Sequence, residues 1–296
     1  MSTRFARIVT GVGGLQLVKI ESPVAEGEMY FHGGQVMSWK PAGADEVIFV
    51  SRQARWEPGR AIRGGAPICF PWFGAHPSDA RAPAHGCVRI KAWQLDAITE
   101  TDGVVTVSMS TGSDDETRRW WPSSFRLEHR ATFGSTLTLE LIVTNTGAEA
   151  FSFEEALHTY YRVGRIDDVR IRGLEGTRYL DAIDARREKA QEGEVVFTSE
   201  TDRVYLDTSS PIVIADGTTR RVRVTAKRSQ TTVVWNPWVG KARALEDLAD
   251  EEWPLFVCVE TCNVSPRATE LGAGEQHVMR VDVAVESGSG HDRDSP

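Results

Sequence analysis

Short alternating runs, each bounded by turn residues, constrain the fold of this chain more than any other feature. Residues 104–109 and 137–143 are rich in β-branched side chains, and Gly, Asn, Asp or Ser flank such runs. Helical patterns are nearly absent: KARALEDLADEEW (241–253) is the best candidate, and SDDETRRWW fits one short turn. The pattern predicts an all-β fold, a large antiparallel β-sandwich with a few short helices.

The length of 296 residues allows one large domain or two ordinary ones. We expect a single domain over residues 1–285, because no linker or internal repeat interrupts the strand pattern. Residues 286–296 (ESGSGHDRDSP) are small and polar, and we expect them to be a disordered tail. No run has the length of a membrane span or the character of a signal peptide, so we expect no membrane partner.

The charge and the cysteines limit the classes of partner and cofactor. A net charge of −8 argues against broad nucleic-acid binding, although a local arginine cluster can still bind a small anion. The four cysteines are too few for a disulfide framework, so we expect them to be reduced and packed, and we expect the protein to be cytoplasmic. Their spacing is not that of a zinc site, and we expect no metal.

The segment FSFEEALHTYYRVG (151–164) places a histidine inside a strand-like run. With a period of two, Phe151, Leu157 and Tyr161 share one face, and His158 lies on the other. His158 would then point away from the main core into a groove, where a rigidly held imidazole can transfer protons. An exposed histidine without a role is the alternative.

A loop rich in Gly and Pro follows the early strands and carries both rings and cations. AIRGGAPICFPWFG (61–74) contains Phe70, Trp72 and Phe73, which could form an exposed platform for the C–H face of a sugar. The cations of this region are Arg63, His85, Arg89 and Lys91. Arginine suits bidentate contact with a phosphate, but surface ion pairs on a well-packed loop are an equal alternative.

Two acidic positions complete the set of candidates. Glu260 interrupts the apolar run PLFVCVETCNV, where an unpaired carboxylate is costly, so it should be hydrogen-bonded, ion-paired or functional. Asp181, in GTRYLDAID, is either a turn residue or an acceptor for sugar hydroxyls. The sequence lacks the GxxxxGK[ST], GxGxxG and GxSxG motifs, which disfavours a kinase, a nicotinamide enzyme and a serine hydrolase.

Taken in order, these segments resemble the aldose 1-epimerase superfamily, and more closely its hexose-6-phosphate mutarotase branch. The resemblance rests on GGQVMSWKPAG, IRGGAPICFPWFG, PAHGCVR, ALHTYYRVG, YLDAID, TDRVYLD, WNPW and FVCVET, which span residues 30–265. The chain departs from the pattern in HGCVR, where Cys87 and Val88 replace an aromatic and a small residue. The resemblance implies a β-sandwich of the galactose mutarotase type and no metal or organic cofactor.

The family resemblance also implies an activity and roles for individual residues. The activity is interconversion of the α and β anomers of a phosphorylated aldose such as glucose 6-phosphate. Glu260 matches the general base at the C1 hydroxyl, and His158 matches the acid at the ring oxygen. His158 should then enter the reaction protonated, favoured by a nearby carboxylate. The positions implied to bind substrate are Arg63, His85 and Asp181, with Arg89 for the phosphate and Lys91 as a weaker companion.

Two other functions stay open at this point. One is a mutarotase for neutral aldoses, against which the cationic residues argue. The other is a non-catalytic carbohydrate-binding protein, against which the retained acid and base argue. In each case the partner is a small molecule, and we expect the protein to be a monomer.

Overall fold

Antiparallel strands make up most of the computed structural model, which describes residues 2–208, 211–217 and 220–287. In chain order the strands are β1 (Ala6–Thr10), β2 (Gln16–Glu21), β3 (Ala25–Tyr30), β4 (Gln35–Pro41), β5 (Ile68–Cys69), β6 (Gln94–Thr101), β7 (Val104–Gly112), β8 (Phe125–Phe133), β9 (Thr136–Asn145), β10 (Phe151–Phe153), β11 (Glu155–Leu157), β12 (Tyr160–Arg162), β13 (Arg170–Arg172), β14 (Arg178–Asp181), β15 (Arg187–Ala190), β16 (Thr201–Leu206), β17 (Ile212–Ala215), β18 (Arg220–Lys227), β19 (Thr231–Asn236), β20 (Phe256–Asn263), β21 (Thr269–Leu271) and β22 (Gln276–Ser287).

Helical structure is confined to short segments. The α-helix α1 spans Trp238–Ala242. The 3₁₀ turns are Val12–Gly14, Val88–Ile90, Thr117–Arg119, Ile166–Asp168, Ala182–Asp184 and Trp253–Leu255. Within the described ranges, no helix is both long enough and apolar enough to cross a membrane.

Two eight-stranded sheets organise the molecule. The first, which we call the pocket sheet, has the order β15-β14-β16-β19-β20-β11-β5, with β12 also paired to β20. The second, the back sheet, has the order β13-β17-β18-β22-β9-β8-β7-β6. Strands β1 to β4 form a separate four-stranded meander, and β10 pairs with β21. The pairings within both large sheets are antiparallel, as in β19 with β20 and β8 with β9.

The main core lies between the two large sheets. One cluster of buried side chains contains Val257 and Val259 from the pocket sheet together with Leu139 and Val281 from the back sheet. Alternation along each strand produces this arrangement, because every second side chain of a strand points to the same face. The predicted all-β antiparallel sandwich is therefore confirmed.

The other face of the pocket sheet carries a second cluster of buried side chains. It contains Tyr160, Cys258 and Trp235. The predicted faces of the segment 151–164 agree with this division, because Phe151, Leu157 and Tyr161 belong to the main core. The run itself is broken into β10, β11 and β12, with His158 in the gap between the last two.

The helix predicted over 241–253 is wrong for most of its length. The α-helix α1 ends at Ala242, and residues 243–252 form successive turns. Contacts with distant residues hold this segment in turns. Asp247 pairs with Arg63, and the buried Glu252 accepts hydrogen bonds from Ser51 and the backbone of Arg52. Of the predicted tail 286–296, residues 286 and 287 complete β22, and residues 288–296 lie outside the described residues.

Candidate active site

A pocket of about 260 Å³ opens above the outer face of the pocket sheet. It brings together five of the six site residues predicted from the sequence, and Asp181 is the one that does not line it. The lining residues are Arg63, Phe73, Ala84, His85, Arg89, His158, Asp202, Val233, Trp235, Lys241, Leu245 and Glu260.

The register of the strands builds the floor of this pocket. Strand β20 pairs with β19 on one side and with β11 and β12 on the other. Cys258 on β20 lies opposite Trp235 and Tyr160, and Glu260, two residues further along, lies opposite Val233. Because alternate residues of a strand share a face, this register carries Glu260 to the pocket side of the sheet.

His158 and Glu260 meet at the bottom of the pocket. His158 Nε2 lies 3.3 Å from Glu260 Oε1, and the residues are 7% and 1% exposed. The backbone N–H of His158 donates to the carbonyl of Pro67 at 2.9 Å, which fixes the segment between β11 and β12. Within the described part of the chain, His158 Nδ1 and both Glu260 oxygens lack a hydrogen-bond partner. Buried polar atoms are normally paired, so these atoms are suited to binding a polar ligand.

Burial and nearby charge set the protonation of this pair. Burial, followed by the guanidinium groups of Arg89 and Arg63, lowers the pKa of His158 to about 3. Burial raises the pKa of Glu260 well above its ordinary value, with a smaller contribution from Asp202. The empty pocket therefore favours a neutral imidazole and a protonated carboxyl, and the expected preference for the imidazolium is outweighed by desolvation. The pair still holds one proton. Transfer of this proton from Glu260 to His158 produces a carboxylate, which is a base, beside an imidazolium, which is an acid.

Arg63 enters the pocket from the loop before β5 and is already anchored. Its Nε donates to Asp247 Oδ1 at 3.1 Å, and its Nη1 donates to the hydroxyl of Tyr160 at 3.0 Å. The next residue, Gly64, has a φ of +111° and forms a β-bridge with Val50. The two backbones are so close that a Cβ added to Gly64 would lie 2.5 Å from the Val50 Cα, so the loop requires glycine here. Arg63 thus presents a charge that is largely neutralised by its partner.

Arg89 differs from Arg63 in having no ion-pair partner among the residues described. It lies in the 3₁₀ turn Val88–Ile90, and its Nη2 donates to the backbone carbonyl of Ala84 at 2.9 Å. Lys91, the weaker phosphate candidate, does not line the pocket, because its Nζ pairs with Asp114 on another part of the surface. Lys241 on α1 does line the pocket, and its Nζ lies 3.0 Å from Glu200.

His85 stands beside His158, with 5.6 Å between the ring centroids. The backbone N–H of Gly74 donates to His85 Nδ1 at 3.3 Å, which makes Nδ1 an acceptor and places the proton on Nε2. Burial lowers the pKa of His85 well below its ordinary value, so the ring is neutral. The next residue must be glycine: Gly86 has a φ of +80°, and an added Cβ would lie 1.8 Å from the carbonyl oxygen of Phe70.

The carboxylate on the wall of the pocket is Asp202, which the sequence interpretation did not single out. Asp202 lies on β16 opposite Trp235, so it points to the same face of the sheet. Asp181 lies on the neighbouring strand β14, where its carboxylate binds Lys189 Nζ at 2.7 Å and the backbone N–H of Ile183 at 3.1 Å. The strand run TDRVYLD contained the signal for Asp202, since its alternation puts Asp202 and Val204 on one face.

The predicted aromatic platform is only partly present. Phe70 is fully buried and Trp72 is 5% exposed, so both rings belong to the core. Phe73 remains at the pocket, where its ring lies 4.6 Å from the ring of His85. All four cysteines are free and buried, as predicted.

Comparison with known proteins identifies the family of the chain. A family model described as aldose 1-epimerase matches residues 16–283. A protein of Cenchrus ciliaris named "Putative glucose-6-phosphate 1-epimerase" is 36% identical over 293 residues, covering 95% of this chain and 88% of that protein.

Solved structures show the same fold. The crystal structure of a "putative mutarotase" from Salmonella typhimurium superposes with a TM-score of 0.90 and 31% identity, covering 97% of this chain and 95% of the other. A "galactose mutarotase related enzyme" from Lactobacillus acidophilus shares only 13% identity, yet superposes with a TM-score of 0.75 over 93% of this chain and 98% of its own. The fold is of the galactose mutarotase type, and the chain belongs to the aldose 1-epimerase family of enzymes.

Proposed function

We propose that this enzyme interconverts the α and β anomers of a hexose 6-phosphate, with glucose 6-phosphate as the first candidate. One observation carries the proposal: the buried His158–Glu260 pair, 3.3 Å apart, shares its pocket with Arg89, which has no carboxylate partner in the described structure. The name of the Cenchrus ciliaris relative supports the same substrate. A neutral sugar needs the acid and the base but not the unpaired guanidinium.

The reaction requires only proton transfers and one bond that breaks and reforms. Glu260 as carboxylate removes the proton of the C1 hydroxyl, while His158 as imidazolium protonates the ring oxygen. The bond between C1 and the ring oxygen breaks with its electron pair on that oxygen, and C1 becomes the carbonyl carbon of an aldehyde. After rotation about the C1–C2 bond, the reverse transfers close the ring on the other face of C1. Each positioned proton-transfer group contributes about 10²–10⁴-fold.

The remaining pocket residues would bind the substrate. Arg89 would hold the phosphate, because charge-assisted hydrogen bonds to phosphate are strong and this guanidinium is not neutralised. Arg63 and the neutral His85 would donate to sugar hydroxyls. We assign to Asp202 the hydroxyl contact that the sequence interpretation gave to Asp181, since Asp202 lines the pocket.

Exchange NMR tests the proposal directly. Magnetisation transfer between the α and β anomeric signals is measured for glucose 6-phosphate, glucose and galactose, with and without enzyme. Acceleration that is much greater for the phosphosugar is expected. Glu260→Gln should then lower kcat by about 10²–10⁴-fold while calorimetry still detects binding, and Glu149→Gln on the exposed surface serves as the matched control.

The other outcomes refute the proposal in different ways. Equal or greater acceleration of the neutral sugars would indicate a mutarotase for unphosphorylated aldoses. Binding of the phosphosugar without acceleration of any sugar would indicate a carbohydrate-binding protein. A Glu260→Gln variant with full activity would refute the assignment of the base.

A further inference from the structure

Tyr160 contacts both the candidate acid and an anchored arginine of the pocket. Its ring is nearly parallel to the imidazole of His158, with 5.0 Å between the centroids and 12° between the planes. Its hydroxyl accepts the hydrogen bond from Arg63 Nη1 at 3.0 Å. The residue is only 2% exposed. One rigid side chain therefore links two groups that would act on different parts of the same ligand.

The surroundings of Tyr160 fix its ring. Phe256 lies 5.2 Å and Trp235 lies 6.0 Å from it, centroid to centroid, and Phe49 packs nearby at 6.5 Å. Its backbone N–H donates to the carbonyl of Gly65 at 2.9 Å, and its own carbonyl accepts from Phe49 at 3.0 Å. A ring packed this way keeps one rotamer, because close-packed interiors resist local displacement.

Arg63 is held from the opposite side by Asp247. The Asp247 Oδ1 atom lies 3.1 Å from Nε and 3.0 Å from Nη2 of the guanidinium. Together with the Tyr160 contact, these anchors leave N–H groups on both Nη atoms for a ligand. Two anchors on a planar group define its orientation, and the loss of one would allow the plane to swing.

We propose that Tyr160 is a positioning residue that holds His158 and Arg63 in a fixed relation to one ligand; this inference rests on the proposed function. The aromatic face also attracts a cation, so the stack stabilises the imidazolium that the reaction requires against the burial that opposes it. The charged and titratable groups that face His158 are Glu260, His85, Arg63 and Arg89. Tyr160 acts on this set without a charge of its own.

Two substitutions separate the hydroxyl from the ring. Tyr160→Phe removes only the bond to Arg63, so KM for glucose 6-phosphate should rise about three- to tenfold with little change in kcat. Tyr160→Leu also removes the aromatic face, so kcat should fall by a further factor of about ten. The acidic limb of the kcat pH profile should also move to lower pH in Tyr160→Leu alone. The pair already holds one proton, so this limb reports the addition of a second proton at the imidazole, which leaves no base. Loss of the aromatic face makes that protonation less favourable.

Tyr161→Phe is the matched control. Tyr161 is the neighbouring buried tyrosine, but its side chain belongs to the main core on the other face of the sheet. The same chemical change there should leave kcat and KM unaltered. Circular dichroism and thermal melts confirm that each variant is folded before its kinetics are compared.

The inference and the proposed function fail in distinguishable ways. If the wild-type enzyme accelerates no sugar, the proposed function fails. The Tyr160→Phe affinity for glucose 6-phosphate, measured by calorimetry against Tyr161→Phe, then still tests the anchor.

If wild type is active and a folded Tyr160→Phe keeps its KM, Tyr160 does not position Arg63. If Tyr160→Leu shows no loss of kcat beyond Tyr160→Phe and an unmoved acidic limb, the ring does not act on His158. Either result overturns the inference.

Discussion

Replacing Arg89 by glutamine should convert an enzyme that prefers a phosphosugar into one that barely distinguishes it from the free sugar. The guanidinium lines the pocket, and its one hydrogen bond to protein runs from Nη2 to the carbonyl of Ala84, within the described structure. It therefore has donors to spare, and no carboxylate of the described residues forms an ion pair with it. Glutamine keeps much of the length and removes the charge.

The expected size follows from the bonds that are lost. Hydrogen bonds to a charged group contribute about 1.5–3 kcal/mol, so kcat/KM for glucose 6-phosphate should fall about ten- to a hundredfold. The value of kcat/KM for glucose should change far less, provided that the protonation of His158 and Glu260 is unchanged. Protonation itself will shift, because Arg89 lowers the pKa of both His158 and Glu260, and its removal raises both. The ratio of the two specificity constants must therefore be compared at several pH values.

The assay is exchange NMR on both sugars, with Lys91→Gln as the matched control. Lys91 is two residues away in sequence, and its loss changes the net charge equally, but it pairs with Asp114 outside the pocket. The control should keep the wild-type preference for the phosphosugar. If Arg89→Gln lowers both specificity constants by the same factor across the pH range, or if Lys91→Gln reproduces its effect, Arg89 does not hold the phosphate.

Three further predictions concern stability and can be checked by urea unfolding. Burial raises the folded-state pKa of Glu260, so the contribution of this one carboxyl to wild-type stability falls as the pH rises above about 4.5, where the unfolded carboxyl ionises. The stability of Glu260→Gln relative to wild type should therefore increase as the pH rises from about 4.5 towards the folded-state pKa, and a pH-independent difference would refute this reasoning. Gly86→Ala should cost more than about 3 kcal/mol and impair catalysis, because its Cβ would lie 1.8 Å from a backbone oxygen. Gly43→Ala, with a similar φ of +78° but nothing within 4 Å, should cost only about 1–2 kcal/mol, and equal losses would contradict the clash. Glu155→Leu should cost about 1–3 kcal/mol, because the fully buried Glu155 accepts a hydrogen bond from Asn263 at 2.8 Å and pairs with the partly exposed His277 at 2.9 Å, and a loss below about 1 kcal/mol would contradict that role.

Alternation along strands was the most informative signal in the sequence. It assigned the faces around His158 correctly, because a period of two leaves a side chain only two directions. It could also have found Asp202, since TDRVYLD alternates in the same way. Asp181 was preferred to it because of the family resemblance, although a turn beside Lys189 holds that side chain.

Features that depend on loops could not be read from local sequence. The exposure of Phe70 and Trp72 was overestimated, because Gly and Pro indicate irregular backbone but not which side of it faces the core. Lys91 is held away from the pocket by an ion pair with Asp114, which is distant from it in sequence. The hydrogen bond from Ser51 to Glu252, which helps to hold residues 243–252 in turns, also joins distant residues. The pKa of His158 was misjudged for a related reason: burial is a property of the whole fold, and here it exceeds the effect of one neighbouring carboxylate.

The division between floor and walls in this pocket has a consequence for how such an enzyme can change. Glu260 is fixed by the strand register, and a slip of one residue would turn it into the main core. Arg63, Arg89 and Lys241 come from a loop, a 3₁₀ turn and a short helix, each outside the sheet. Insertions or replacements there can alter which sugar is held without moving Glu260 on its strand, and among them changes at Arg63 or Arg89 also shift the pKa of His158. The position of the candidate base and the substrate preference are therefore set by different parts of this scaffold.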